Sequence, residues 1–401
     1  MPPHDAHHHP LGPPERVVML RERAFLAVPA RAGLACVLDA SGNVITLATT
    51  ANLRAWARDR LSPDIAGPRA ALAPIAETLR WATVGSALEA DWLYLELGRT
   101  LIPRTYRAAA DRWQAWYLRL DADADPPTWR KGRIEEFADA ASAASAAPGT
   151  LIGPFRDKDA AGRFGELLDD AFELCRYPKE LAQAPNGTAC AYKQMGRCPA
   201  ACDGSEPMHA YRARVRDAIH FAKDRAAYTA QLDDTMRCAA AEHDFEAAAA
   251  AKQARERTAK AEHRAFAHVT TLDRGRWLLI APSERVGVAR LTLAAAGTIA
   301  PIADVPVDND DAATQVARQL AEHARNMPLP AALDGSACER IGLVAHTLYH
   351  RPARARGGFI ALHEPLDPAQ IRALVRNAAK SPPEEQAADA SSDFTDREAA
   401  P

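Results

Sequence analysis

Apolar and polar positions repeat at two periods along this chain, and the changes of period mark out its elements. Residues 33 to 38 and 44 to 47 are apolar runs around Asp39-Ala40-Ser41-Gly42-Asn43, which predicts a β-hairpin closed by a turn of Asp, Ser, Gly and Asn. Asn52 is the candidate N-cap of the helix that follows, with Leu53, Trp56 and Leu61 on its apolar side, Arg54, Arg58 and Arg60 outward, and Pro63 as its stop. A second helix near residues 69 to 79, a short strand RWATV and a third helix capped by Ser86 complete a small α/β unit.

Downstream, WQAWYLRLDADADPPTWRKGRI predicts a strand, an Asp/Pro turn and a return strand, and the small polar stretch 138 to 150 predicts a linker whose alanines also allow the extension of a short helix. Ser205-Glu206-Pro207 starts a helix whose apolar stripe is Tyr211, Val215, Ile219 and Phe221. Residues 232 to 257 keep helical spacing on both sides of a break at His243-Asp244, which predicts an antiparallel helical hairpin. Such a pair leaves an apolar side uncovered, so a partner is expected there. Alternating strands, two helices and a final strand fill 269 to 376, and Asp304, Asp308, Asp310 and Asp311 are expected to serve capping and solvation in a loop before a helix.

The pattern therefore predicts an α+β multidomain chain: a tail over 1–19, a small α/β domain over 20–107, connecting strands and linker over 108–152, a cysteine-rich module with its covering helix over 153–224, a helical hairpin over 225–265, a small C-terminal α/β domain over 266–380 and an acidic tail over 381–401. The first tail is rich in Pro and His, and His4 and His7 to His9 are read as part of a disordered segment.

Composition changes this picture little. With 401 residues, 48% of them hydrophobic and 25% charged, the chain has the makeup of a soluble protein able to bury a core. Its net charge of −3 carries no nucleic-acid signature, so any DNA contact has to come from local arginines. No apolar run approaches a bilayer span and no secretory pattern opens the chain, so a cytoplasmic location without membrane contact is expected.

Four of the seven cysteines change it more. Cys175, Cys190, Cys198 and Cys202 follow C-x14-C-x7-C-x3-C, with Pro185, Gly187, Gly196 and Pro199 between them to turn the backbone. Converging thiolates in a reducing compartment hold a metal or an iron–sulfur cluster. Spacing leaves zinc and iron–sulfur undecided: Cys198 and Cys202 form a close pair that suits zinc, while a second short pair is missing.

The stretch from Gly153-Pro154-Phe155 through Y-x-x-G-R-C-x-x-x-C, Tyr192 to Cys202, resembles the cysteine-rich module of the UvrC family of nucleotide excision repair nucleases. That resemblance implies a 4Fe-4S cluster, with zinc as the alternative, on Cys175, Cys190, Cys198 and Cys202. The residues DASGNVI, NLRAWARDRL, ALEA and Pro103-Arg104 are similar to the GIY-YIG nuclease domain of UvrC and its shorter relative Cho. The family pattern places Ala35 and Thr46 at its two tyrosines, Ala48 at a glycine, Thr49 at its lysine and Trp56 at its arginine. Glu89 is the retained carboxylate that would hold Mg or Mn if the nuclease site were active. Arg54, Arg58 and Arg104 are the candidate DNA contacts, with Arg99 and Arg107 beside them.

Residues 232 to 257 resemble the UVR motif, which implies a UvrB-type helicase subunit as partner. Met236, Phe245, Glu246 and Ala249 are the contact residues and Phe245 is the anchor. The reading is a UvrC/Cho-like DNA repair protein with a degenerate nuclease domain. Its alternatives are an active divalent-metal-dependent excinuclease and a UvrB-binding adaptor without DNA contact.

Overall fold

The computed structural model describes residues 11–12, 14–22, 25–62, 71–143, 149–295, 297–308, 310–326, 333–350, 356–363, 365–380 and 397–399. Mixed α and β elements build three small sheets, distributed over two compact units. The first unit comprises 1–113, 276–327 and 350–401, and the second comprises 114–275 and 328–349.

In the first unit a five-stranded antiparallel sheet runs in the order Glu15–Arg16, Thr78–Thr83, Gly33–Leu38, Val44–Thr50, Arg397–Ala399. The expected hairpin is its centre: Asp39 closes the turn by accepting from the backbone N–H groups of Ser41 and Asn43, both at 2.8 Å, and Gly42 takes the left-handed φ of 82° that the turn requires. Asn52 caps the helix Leu53–Leu61 through the Ala55 N–H at 3.0 Å, and Ser86 caps Ala87–Leu101 through the Glu89 N–H at 3.2 Å. The apolar faces of sheet and first helix close over one core that contains Val17, Leu20, Ala35, Val37, Ala48, Leu53 and Trp56.

Several expectations fail in this unit: Arg60, expected outward, is buried, and Arg397–Ala399 of the expected acidic tail pairs with the strand Val44–Thr50. Residues 71–77 form a turn in place of the expected helix, because Pro74 removes a backbone donor and Thr78 already enters the strand beside Gly33–Leu38. Beside that turn, Glu15–Arg16 and the helix Val17–Glu22 fall within or astride the expected tail, held by the burial of Leu11, Val17 and Leu20. His4 and His7 to His9, and most of the acidic tail, lie outside the described residues.

The second sheet of the first unit is also antiparallel, in the order Thr298–Pro306, Val288–Ala295, Arg276–Pro282, Gly358–Ala361. The helices Asp310–Asn326 and Pro368–Ala379 cover it, sharing a core with Leu278, Leu291, Leu293, Ile360, Ile371 and Val375.

In the second unit the strands run Arg130–Arg133, Trp116–Leu120, Thr150–Phe155, Thr270–Thr271, again antiparallel. Lys158–Phe172 is an amphipathic helix capped by Asp157, and Met208–Lys223 packs beside it. Their shared core stacks Phe155 on Phe164, Phe164 on Phe266 and Phe172 on Phe221 at centroid distances of 5.4, 5.1 and 5.6 Å. Part of the expected linker is helix, Ile134–Ala143, since its alanines carry high helix propensity. Arg225–Ala241 and Phe245–Thr258 form the expected hairpin of helices. No helix among the described residues is long and apolar enough to cross a membrane.

Candidate functional site: four grouped thiols and a carboxylate held by arginine

Each cysteine of the group is presented by a backbone device that its neighbours in sequence dictate. Cys175 follows the left-handed C-cap Glu173 of the helix Lys158–Phe172, and its N–H donates to the Tyr211 hydroxyl at 3.1 Å. Cys190 is the N-cap of the single turn Ala191–Gln194. Cys198 precedes Pro199 and the left-handed Ala200, after which Ala201–Asp203 makes one 3-10 turn that carries Cys202 and ends at the left-handed Gly204. The Cys202 carbonyl accepts from the Gly187 N–H at 2.8 Å, which ties the two ends of the loop together.

These turns bring all four sulfurs into one electrostatic neighbourhood. Burial pushes the Cys175 thiol up to about 11, and the nearness of Cys198, Cys202 and Cys190 adds to the rise. Burial also raises Cys198, where Cys190 adds to the rise and the Arg214 guanidinium opposes it. Cys202 is raised first by burial, then by Asp203, and by Cys198 and Cys190. Among the described residues no three His, Cys, Asp or Glu side chains stand in metal-ligand geometry. The donor set itself is soft and homogeneous, which is the chemistry that zinc or an iron–sulfur cluster requires.

The surrounding shell is made of ion pairs and aromatic rings. The Arg176 guanidinium lies 4.2 Å from the Tyr192 ring centroid and pairs with Asp170, and Tyr177 lies 6.3 Å from Tyr192. Lys193 Nζ is 2.6 Å from both Asp203 and Ser205, and Arg214 is 2.8 Å from Glu206. Deeper in the same core, Asp169 accepts from Trp129 Nε1 at 2.9 Å, and burial pushes its carboxyl up to about 7.

The helical hairpin presents its expected contact residues outward. Phe245 is 70% exposed at the start of the second helix, Glu246 and Ala249 are exposed, and Met236 is half-buried. Asp244 caps that helix through the Ala247 N–H at 3.0 Å, His243 turns the chain with a φ of 62°, and Arg255 bridges to Asp233 at 2.8 Å.

The expected nuclease positions are occupied by packing. Ala35, Ala48 and Trp56 belong to one apolar core, and Thr46 and Thr49 are buried in the same hairpin. Ala35 and Ala48 are direct cross-strand partners. Glu89 lies in the first turn of its helix, where one carboxylate oxygen accepts from the Gly85 N–H at 2.9 Å and the other meets the Arg290 guanidinium. Burial raises its carboxyl, against the opposing pull of Gly85 and Arg290. The DNA candidates differ among themselves: Arg54 is half-buried and donates to the Val28 carbonyl at 2.8 Å, while Arg58 and Arg104 are exposed.

Sequence reasoning missed Arg290 and misplaced Asp304. Asp304 sits on the strand Thr298–Pro306, directly opposite Arg290, and holds its guanidinium at 2.9 and 3.2 Å, so its expected place in a capping loop is corrected. The alternation of the two strands was the signal available for that pair.

The fold and these sites define a chain of small α+β modules, one of which gathers four thiols. Residues 117–221, which span that module, match the family described as UvrC/Cho excinuclease, middle domain. The chain is also 29% identical over 240 residues to UvrABC system protein C of Gloeobacter violaceus, a stretch covering 59% of this chain and 36% of that protein. It thus spans little more than a third of the length of the curated relative it matches. No solved structure matches it. Both matches are likenesses to UvrC proteins over part of this chain.

Proposed function

We propose that this protein serves nucleotide excision repair of DNA as a UvrC-like component that has given up incision by its first sheet. The observation that carries the reading is the coincidence of the middle-domain match, 117–221, with the group of four thiols. Cys175, Cys190, Cys198 and Cys202 would hold a 4Fe-4S cluster. When bound, the cluster would fasten four separate stretches of chain to one point, so that its binding free energy becomes folding free energy. Tyr211 orients Cys175 through its backbone N–H, and Arg214 and Lys193 place positive charge beside the module.

The hairpin from Arg225 to Thr258 docks a UvrB-type subunit through Phe245, whose ring is already exposed and costs no rearrangement to present. The first sheet is a GIY-YIG-type domain retained as scaffold and DNA-contact surface, with Arg58 and Arg104 facing phosphates. Hydrolysis of a phosphodiester needs a group to orient water and a positive group for the developing charge. The positions that would carry them are Ala35, Thr46, Thr49 and Trp56, and their burial supports loss of the chemistry.

An incision assay on lesion-bearing DNA, with a UvrB-type partner and Mg or Mn supplied, tests this reading. The expected result is no nicking together with DNA binding that weakens steeply with salt. Nicking that Glu89→Ala abolishes would return the protein to the active excinucleases, and a complex with the partner but no DNA affinity would make it an adaptor.

A further inference from the structure

Glu89 and the second sheet belong to the same compact unit, and every oxygen of this carboxylate has a donor. The Arg290 guanidinium that meets it is held from its other edge by Asp304, at 2.9 and 3.2 Å, and Ser283 Oγ adds a contact to that carboxylate at 3.2 Å. The Arg290 and Glu89 side chains are only 21% and 15% exposed. Asp304, by its hydrogen bonds, and Glu89, by its charge, both favour the charged guanidinium.

Two more contacts fasten the same edge. Thr83 Oγ1 lies 2.5 Å from the Glu284 carboxylate, and Arg31 donates to the Glu284 carbonyl at 2.8 Å. A Cβ on Gly85 would stand 2.1 Å from the Pro282 carbonyl oxygen, so only glycine lets the strands approach this closely. A small, partly open cavity of about 20 Å³ beside Ser86, Glu89, Trp92 and Arg290 has room for a water.

We infer that Arg290 is the resident cation of Glu89: the carboxylate is one half of a charged lock between the helix Ala87–Leu101 and the second sheet and is not a ligand for a divalent metal. The residues around Glu89 do not fit the ion that a working nuclease of this family would hold there. A divalent cation would have to displace a guanidinium that a second carboxylate already fixes in a two-point grip. The meaning of the lock as a closed metal position rests on the nuclease-derived reading of the first sheet, whereas the lock itself rests on its contacts.

A double-mutant cycle on the full chain tests it. Arg290→Ala and Glu89→Gln should each lower Tm by about 3–6 °C, and the double variant should lose little more than the worse single one. Arg290→Lys, which keeps the charge and loses the fork, should fall between wild type and Arg290→Ala, and it keeps the cycle readable if the alanine variant does not fold. Additive losses would overturn the lock. So would Mn²⁺ binding by the wild-type protein, followed by electron paramagnetic resonance, that Glu89→Gln removes. A failed cycle in a protein that still does not nick DNA would spare the proposed function, while Glu89-dependent nicking would remove both.

Discussion

Around Cys175 the chain gathers four soft donors and surrounds them with arginine, lysine and tyrosine, and around Glu89 it gathers one hard donor and gives it to an arginine. Both places are ones where the residue pattern raised the expectation of a bound metal. In the first, burial raises the Cys175, Cys198 and Cys202 thiols and keeps them protonated, so a bound cation would have to displace their protons. In the second, the carboxylate already has a guanidinium partner within the fold, and Ala35, Ala48 and Trp56 are packed into an apolar core. A conserved-looking ligand is therefore weak evidence of a site until its neighbours are known.

The largest effect that would sharpen the comparison is loss of a thiol. Cys198→Ser should strip most of the iron and cost more than about 3 kcal/mol, because ligand loss uncouples metal binding from folding. Cys238→Ser, at an exposed helical position, should stay within about 0.5 kcal/mol. Iron and sulfide analysis with urea unfolding reads both, and one stoichiometric zinc without iron would reject the cluster while keeping the four-cysteine site.

Next in size is Phe245→Asp. The side chain is 70% exposed, so the fold should survive, while affinity for a UvrB-type subunit falls by roughly 30-fold or more, about 2 kcal/mol. Calorimetric titration checks it, and unchanged affinity would remove the hairpin as the docking surface.

Smaller again is the attempt to rebuild chemistry in the first sheet. Ala35→Tyr would force a ring into a fully buried position, so it should destabilise by about 1–3 kcal/mol and restore no nicking. Thermal unfolding beside a nicking assay would break the comparison if the variant were stable and active.

The last effect, read only as a difference between two pH values, concerns buried carboxylates in the two regions. Glu89 touches a guanidinium, whereas Asp169 is bonded to the Trp129 indole and its carboxyl sits at about 7. The folded state then keeps the Asp169 proton between about pH 4 and 7 while the unfolded chain gives it up, so this group's contribution to stability declines as pH rises through 7. Asp169→Asn retains an oxygen for Trp129 and should remove about 2 kcal/mol of the stability lost between pH 5 and 8. Urea unfolding at the two pH values measures it, and an unchanged difference would place the slope elsewhere.

Much of this molecule was legible locally. The Asp39 turn, the caps at Asn52 and Ser86, and the break between the two hairpin helices each act over two to four residues, which is the range that a sequence pattern reports. The cysteine spacing with its prolines and glycines belongs to the same category. The failures were of another kind. Pro74 and the pairing of Thr78–Thr83 decided against a helix over 71–77, and sheet formation with a strand more than sixty residues away drew Glu15–Arg16 out of the expected tail.

Only the tertiary structure decided what Glu89 does. Its partner Arg290 lies 201 positions later, and Arg290 meets Asp304 because strand register puts them opposite each other. Neither periodicity nor capping carries information over that distance, since both arise from bonds within a turn or a strand. The sequence by itself determined that a carboxylate begins this helix and that four thiols recur on one loop. Packing decided that the thiols share a neighbourhood and that the carboxylate faces a guanidinium, because burial and charge pairing are properties of the folded chain as a whole.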